Sequence, residues 1–116
     1  MILGKISEIL EAAVVTNPGN LDKDIKWAFS TDLLSNVLFY FIPDSLLLTG
    51  LIHPQVVRAA EVANIDGIVF VQGKKPEAET IALANEKKIT LLVTPFCMYT
   101  ASGKLYQAGL EGFPEL

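Results

Sequence analysis

Between Ser45 and Thr94 the chain repeats one pattern: a short apolar run, a glycine or proline turn, and an amphipathic stretch. Ser45–Thr49 leads through Gly50 to Pro54–Ala63; Gly67–Val71 leads through Gly73 to Pro76–Lys87; Ile89–Thr94 ends at Pro95. Short apolar runs without polar alternation are strands buried on both faces. When helical stretches separate them, such strands pair in parallel through right-handed crossovers. The pattern therefore predicts an α/β fold, a three-layer α/β/α arrangement around a mostly parallel central sheet. Pro54 and Pro76 are placed as first helical residues, where a missing N–H costs nothing and the fixed φ suits the helix.

The flanking segments are less regular. Ile6, Ile9 and Leu10 have helical spacing within residues 4–11, and Ala12–Thr16 reads as a strand closed by the turn Asn17-Pro18-Gly19-Asn20. Residues 25–30 alternate weakly. Thr31-Asp32 then stands as N-cap and first-turn acid before a helix carrying Leu33, Leu34, Val37, Leu38 and Phe41. With Phe39 and Tyr40 that helix is apolar nearly all round, which implies burial on two sides and suggests a subunit contact. Trp27, Phe39, Tyr40, Phe41 and Phe70 read as core packing rather than a stacking surface. A last helix within 96–110 carries Met98, Ala101 and Leu105, and Gly109 ends it; residues 111–116 show little periodicity.

Composition narrows the function. A chain of 116 residues suits one domain over 1–116, and 51% apolar against 19% charged residues argues for extensive burial. The net charge of -4 has the wrong sign for neutralising a nucleic-acid backbone. One cysteine, Cys97, makes neither an internal disulfide nor a thiolate metal cage, and no cofactor or metal motif is evident. No apolar run approaches a membrane span and no leader pattern precedes Ile6, so a cytoplasmic location is expected.

In an open parallel sheet, ligands bind outside the carboxyl ends of the strands. Ser30–Asp32, Thr49–His53, Gln72–Lys75 and Thr94–Cys97 converge there. Gly73-Lys74-Lys75-Pro76 places two ammonium groups at an expected helix start, an anion site by one reading and solvated charge by the other. His53 has the titration range for proton transfer but no companion nucleophile in the sequence. Asp32 either contacts a polar ligand group or complements a helix dipole. Cys97 is either an activated thiol at a helix start or an inert one. The residues singled out for a ligand are Asp32, Thr49, Gly50, His53, Gly73, Lys74 and Thr94; no catalytic or metal-ligating residue is assigned.

Taken together, Asp32–Leu38, Leu47–Leu51, Pro54–Glu61, Ile68–Lys74 and Leu105-Tyr106 resemble a stand-alone DRTGG-domain protein, collinearly from about residue 30 onward. Such proteins are similar to the N-terminal domain of HPr kinase/phosphorylase, which lacks that kinase's catalytic residues. The resemblance implies a module and not an enzyme. Related domains occur with CBS pairs or before phosphotransacetylase domains, and stand-alone ones beside iron-only hydrogenase subunits and anti-sigma-type kinases in anaerobes, which implies regulation or assembly. Asp-Arg-Thr-Gly-Gly is absent as such, and Leu48-Thr49-Gly50-Leu51 occupies its expected place.

The expectation is a non-catalytic regulatory homodimer binding a small anionic ligand, nucleotide-like or phosphorylated, or a protein partner at the strand-end crevice. The alternatives are a dimeric adaptor docking a larger complex through residues 33–41 or its last helix, and a small enzyme using His53 and Asp32.

Overall fold

The computed structural model describes residues 1–16 and 19–114. The expected turn at Asn17-Pro18 and the final two residues of the tail lie outside the described residues. The elements run α1 (Leu3–Ile9), β1 (Ala13–Val14), β2 (Trp27–Ser30), α2 (Leu34–Phe39), β3 (Ser45–Thr49), α3 (Gln55–Ala63), β4 (Gly67–Phe70), α4 (Ala78–Lys87), β5 (Thr90–Val93), α5 (Met98–Gln107) and β6 (Glu111–Gly112). The sheet has the order β1-β5-β4-β3-β2-β6. All neighbours are parallel except β1, which pairs antiparallel with β5. The mostly parallel α/β fold read from the repeat is the observed one.

The sheet order explains the layers. Three successive crossovers, through α2, α3 and α4, step in the same direction from β2 to β5. Crossovers of one hand that advance in one direction lie on one face of the sheet. Leu47, Ile68, Phe70 and Leu91 point to that face, with Val56, Val57, Ala60 and Ala84 from the helices. The alternate residues Leu46, Leu48, Val69 and Leu92 point to the other face, where Leu3, Ile6 and Leu10 of α1 meet Ala101 and Leu105 of α5. Period-two alternation in strands buried on both faces thus makes two cores from one run of leucines.

Gly67 permits close approach of α1: a Cβ there would meet Leu46 Cδ1 at 3.1 Å and Leu3 Cδ2 at 3.2 Å. The ends of α3 and α4 repeat a single device. Asn64 and Lys88 take left-handed conformations with φ of 61° and 59°. The next residues, Ile65 and Ile89, donate N–H to Ala60 and Ala84 five residues back and bury their side chains. This is a Schellman closure with its hydrophobic contact.

Several expectations change. Pro54 does have helical φ and ψ at the start of α3. Pro76, by contrast, lies before α4, whose N-cap is Glu77, so the second proline does not open its helix. The helix expected to reach Phe41 ends at Phe39, and Val37 is its fully buried residue while Leu33, Leu38, Phe39 and Phe41 are exposed. Phe70 is core, but Phe39 and Phe41 are not. The tail supplies β6, which pairs Trp27 with Glu111 and Ala28 with Gly112.

Candidate functional site

The carboxyl ends of β2, β3, β4 and β5 lie side by side, so the turns after them share one edge of the sheet. Asp32 does not complement a helix dipole. Leu33 is the N-cap of α2, and no acid stands in that helix's first turn. Thr31 Oγ1 accepts the Leu33 N–H at 3.0 Å, closing the turn locally. The Asp32 carboxylate turns instead toward β3, where Oδ1 accepts the Thr49 hydroxyl at 2.8 Å and the Gly50 N–H at 2.7 Å. Thr49 Oγ1 in turn accepts the Leu51 N–H at 3.2 Å. A tertiary carboxylate therefore caps the end of β3, and the backbone amides of Gly50 and Leu51 are both satisfied.

Gly50 lies between the side chains of Asp32 and Lys74. A Cβ at Gly50 would sit 3.6 Å from each Asp32 carboxylate oxygen and 3.6 Å from Lys74 Nζ. Opposite charges flank that position, yet the ion pairs among the described residues lie elsewhere and none joins Lys74 to Asp32. An ammonium and a carboxylate that flank Gly50 without pairing suit a ligand with an anionic group for Lys74 and a hydroxyl or amino donor for Asp32.

Lys74 reaches this position by a strained turn. Gln72 and Gly73 are both left-handed, with φ of 60° and 64°. Their N–H groups donate to Phe96 and Thr94 carbonyls, each at 2.8 Å, and the Lys74 N–H donates to Val71 at 3.2 Å. These amides are committed, so no backbone anion nest forms at Gly73. Nor do Lys74 and Lys75 stand at a helix start: α4 begins at Ala78, with Glu79 complementing its dipole. Ile52 links the two turns, because its carbonyl accepts the Glu77 N–H at 3.1 Å and the Thr80 hydroxyl at 2.7 Å. Thr80 was not singled out from sequence; a threonine at an otherwise apolar, buried helix position is the signal that it has a tertiary acceptor.

The other expected residues take different places. Thr94 is fully buried; its hydroxyl donates to the Leu10 carbonyl at 2.6 Å and accepts the Phe96 N–H at 3.3 Å, joining α1 to the end of β5. Its oxygen is thereby occupied. His53 is half-buried in the turn before α3, its Nδ1 buried without a partner among the described residues, and no hydrogen bond joins it to Asp32. The acid–base pair needed for the catalytic alternative is not formed. Cys97 is the exposed N-cap of α5. The Thr100 hydroxyl, 3.4 Å from its sulfur, and the backbone amides of Thr100 and Tyr99 hold its thiol below the ordinary value.

Two cavities lie elsewhere, neither lined by Asp32, Gly50 or Lys74. One of about 180 Å³ lies between β2 and α5, where Ser30 and Ser102 hydroxyls meet at 2.6 Å. One of about 400 Å³ lies at the opposite end of β5, bordered by Gly19, Asn20, Ala84 and Thr90. Among the described residues no group of three or more His, Cys, Asp and Glu side chains is placed to hold a metal ion, and no helix is long and apolar enough to cross a membrane.

A mostly parallel three-layer domain with Asp32 and Lys74 flanking Gly50 at its strand ends is the class that fold and site define. The chain belongs to the DRTGG domain family, whose model matches residues 5–108. Its fold is that of a crystal structure of the CBS and DRTGG domains of the regulatory region of Clostridium perfringens pyrophosphatase, complexed with the activator diadenosine tetraphosphate. The two agree with a TM-score of 0.68 and 16% sequence identity over 92% of this chain, which spans 46% of that one. That structural neighbour is a pyrophosphatase regulatory region rather than the HPr kinase domain named from the sequence. No curated protein gives a significant match.

Proposed function

We propose that this protein is a regulatory, ligand-sensing module that binds a small anionic ligand, nucleotide-like or phosphorylated, in the crevice between Asp32, Gly50 and Lys74. The observation that carries the reading is the unpaired placement of Asp32 and Lys74 around Gly50, whose Cβ position is 3.6 Å from the Asp32 carboxylate oxygens and from Lys74 Nζ. Lys74 neutralises the anionic group; Asp32, already fixed by Thr49 and Gly50, accepts a hydroxyl such as that of a sugar. Membership in the DRTGG family supports a regulatory role, as does the neighbour's place in an activator-bound regulatory region. The reading assigns no catalytic role, in keeping with the place of the neighbour's DRTGG domain in a regulatory region.

Calorimetric titration with nucleotides, diadenosine polyphosphates and acyl phosphates tests it. Gly50→Ala is the decisive variant, since its methyl group meets only ordinary contacts within the protein while filling the space a ligand needs. The expected result is binding heat with at least one of these ligands, abolished by Gly50→Ala and weakened about tenfold or more by Lys74→Ala, the loss of one charge-assisted contact. No heat with any of them, or heat unchanged in both variants, overturns the assignment.

A further inference from the structure

The cavity between β2 and α5 is not lined by the crevice residues but stands one pleat step before them. Leu48, Leu105 and Leu110, all buried, form its apolar lining; Ser30, Ser102 and the exposed ring of Tyr106 complete it on the polar side. Ser30 and Leu48 are paired across β2 and β3. Asp32 and Gly50 come two residues later on the same two chain segments, a step of at most ~7 Å. The order continues across the sheet, because Lys74 follows β4, Gly50 follows β3 and Asp32 follows β2. At ~4.8 Å per strand, the line from Lys74 to the β2 edge is ~10 Å long. That is the length of a nucleotide from phosphate to base.

The chemistry of the cavity differs from that of the crevice. Among the described residues none that lines it is charged, so it offers an anionic group nothing. Its volume of about 180 Å³ equals that of roughly six waters, enough for one planar ring system. Hydrogen-bonding groups stand at one side. The Ser30 and Ser102 hydroxyls meet at 2.6 Å, and each can donate or accept. The Trp27 N–H donates to Asp44 and the Thr31 N–H to Leu48, so alternate residues of β2 bond to β3 and the backbone groups of Ala28 and Ser30 face the other way. The Ala28 carbonyl accepts the Phe113 N–H, but β6 ends at Gly112, opposite Ala28, and no strand residue stands opposite Ser30. An apolar lining, an exposed aromatic ring and a donor–acceptor edge together suit a flat heteroaromatic ring.

We infer that this cavity seats the base of a nucleotide whose phosphate meets Lys74 and whose ribose meets Asp32. The inference rests on the crevice reading and narrows it, because it selects a nucleotide over an acyl phosphate. Tyr106 stacks on the base, and Ser30 and Ser102 address its polar edge.

Calorimetric titration of the whole protein with adenosine, guanosine, cytidine and uridine monophosphates, and with ribose phosphate and acetyl phosphate, provides the test. At least one nucleotide should bind about tenfold or more tighter than ribose phosphate, the gain that stacking one base on an aromatic ring supplies. Ser102→Phe places a ring in the cavity, and in that variant nucleotide and ribose phosphate should bind alike. Tyr106→Ala, at a position 75% exposed, spares the core and should lower the same ratio about tenfold. Circular dichroism checks that each variant is folded. Ribose phosphate binding as tightly as every nucleotide, or a ratio unchanged in either folded variant, overturns the inference and leaves the crevice reading standing. Binding of acetyl phosphate alone, lost in Lys74→Ala, also overturns the inference while keeping that reading. No binding by any of these ligands overturns both.

Discussion

At the scale of single residues, the glycines after two strands do different work. Gly73 has a φ of 64° and nothing within 4 Å of its missing side chain, so its requirement is conformational; Gly50 has no such φ, and a Cβ there would make only ordinary contacts at 3.6 Å. Gly73→Ala should therefore lower the unfolding free energy by ~1 kcal/mol through left-handed strain, whereas Gly50→Ala should change it by less than ~0.5 kcal/mol. Urea denaturation distinguishes them; equal losses would contradict this division. Gly50 was singled out in the sequence as a glycine directly after a buried strand, and the structure places it between Asp32 and Lys74. The role of Asp32 was not. Thr-Asp before an apolar run is locally a capping signal, and what overrides it is the pair of hydrogen bonds to Thr49 and Gly50, seventeen and eighteen residues away. Gly73-Lys74-Lys75-Pro76 misled in a similar way: the left-handed pair Gln72-Gly73 and the docking of Glu77 on Ile52 delay the helix to Ala78.

At the scale of elements, the buried strands were the readable part. Ser45–Thr49 was assigned to the residue and β4 and β5 to within one residue at each end, since strands covered on both faces have nothing but apolar side chains to show. β6 could not be read because two residues carry no periodicity; its place comes from its register on Trp27 and Ala28. α2 was overextended because its sequence is apolar on all sides, a pattern that normally means burial. The C-terminal ends of α3 and α4, Ala63 and Lys87, were read to the residue, although neither Schellman closure uses glycine. Lys88 holds φ of 59° without the freedom that position favours. Lys88→Gly should raise the unfolding free energy by ~0.5–1 kcal/mol, measured by chemical denaturation. A loss of stability would show that Lys88 makes compensating contacts along the end of α4.

At the scale of the whole molecule, an ionic tie joins the irregular entry segment to the base of the parallel sheet. Lys23 Nζ donates to Asp44 Oδ1 at 2.7 Å and lies 3.8 Å from Asp66 Oδ1, before β3 and β4 respectively. The hydrogen bond to Lys23 lowers the Asp44 carboxyl from its ordinary value, and the same bond raises the Lys23 ammonium. A depressed carboxyl stabilises the fold above its unfolded value of ~3.9 and loses that contribution as pH falls through the folded value. A raised ammonium stabilises it below ~10.4 and loses that contribution as pH rises through the folded value. The pair should therefore hold between about pH 4 and 10. Thermal midpoints of wild type and Asp44→Asn should differ by a constant amount across that range and converge below it; asparagine also tolerates the left-handed conformation of residue 44, φ 61°. A gap that persists unchanged in acid would contradict this account.

The parallel sheet brings four turns from distant parts of the sequence to one edge, and the account rests on one of them. The most direct test is the amide resonance of Gly50 in a ¹⁵N-labelled sample titrated with nucleotides, diadenosine polyphosphates and acyl phosphates. The account predicts that at least one of these ligands shifts Gly50 together with Asp32 and Lys74, and that the same titration of Gly50→Ala leaves residues 32 and 74 unmoved. Shifts confined to other surfaces, or none with any of these ligands, would contradict it.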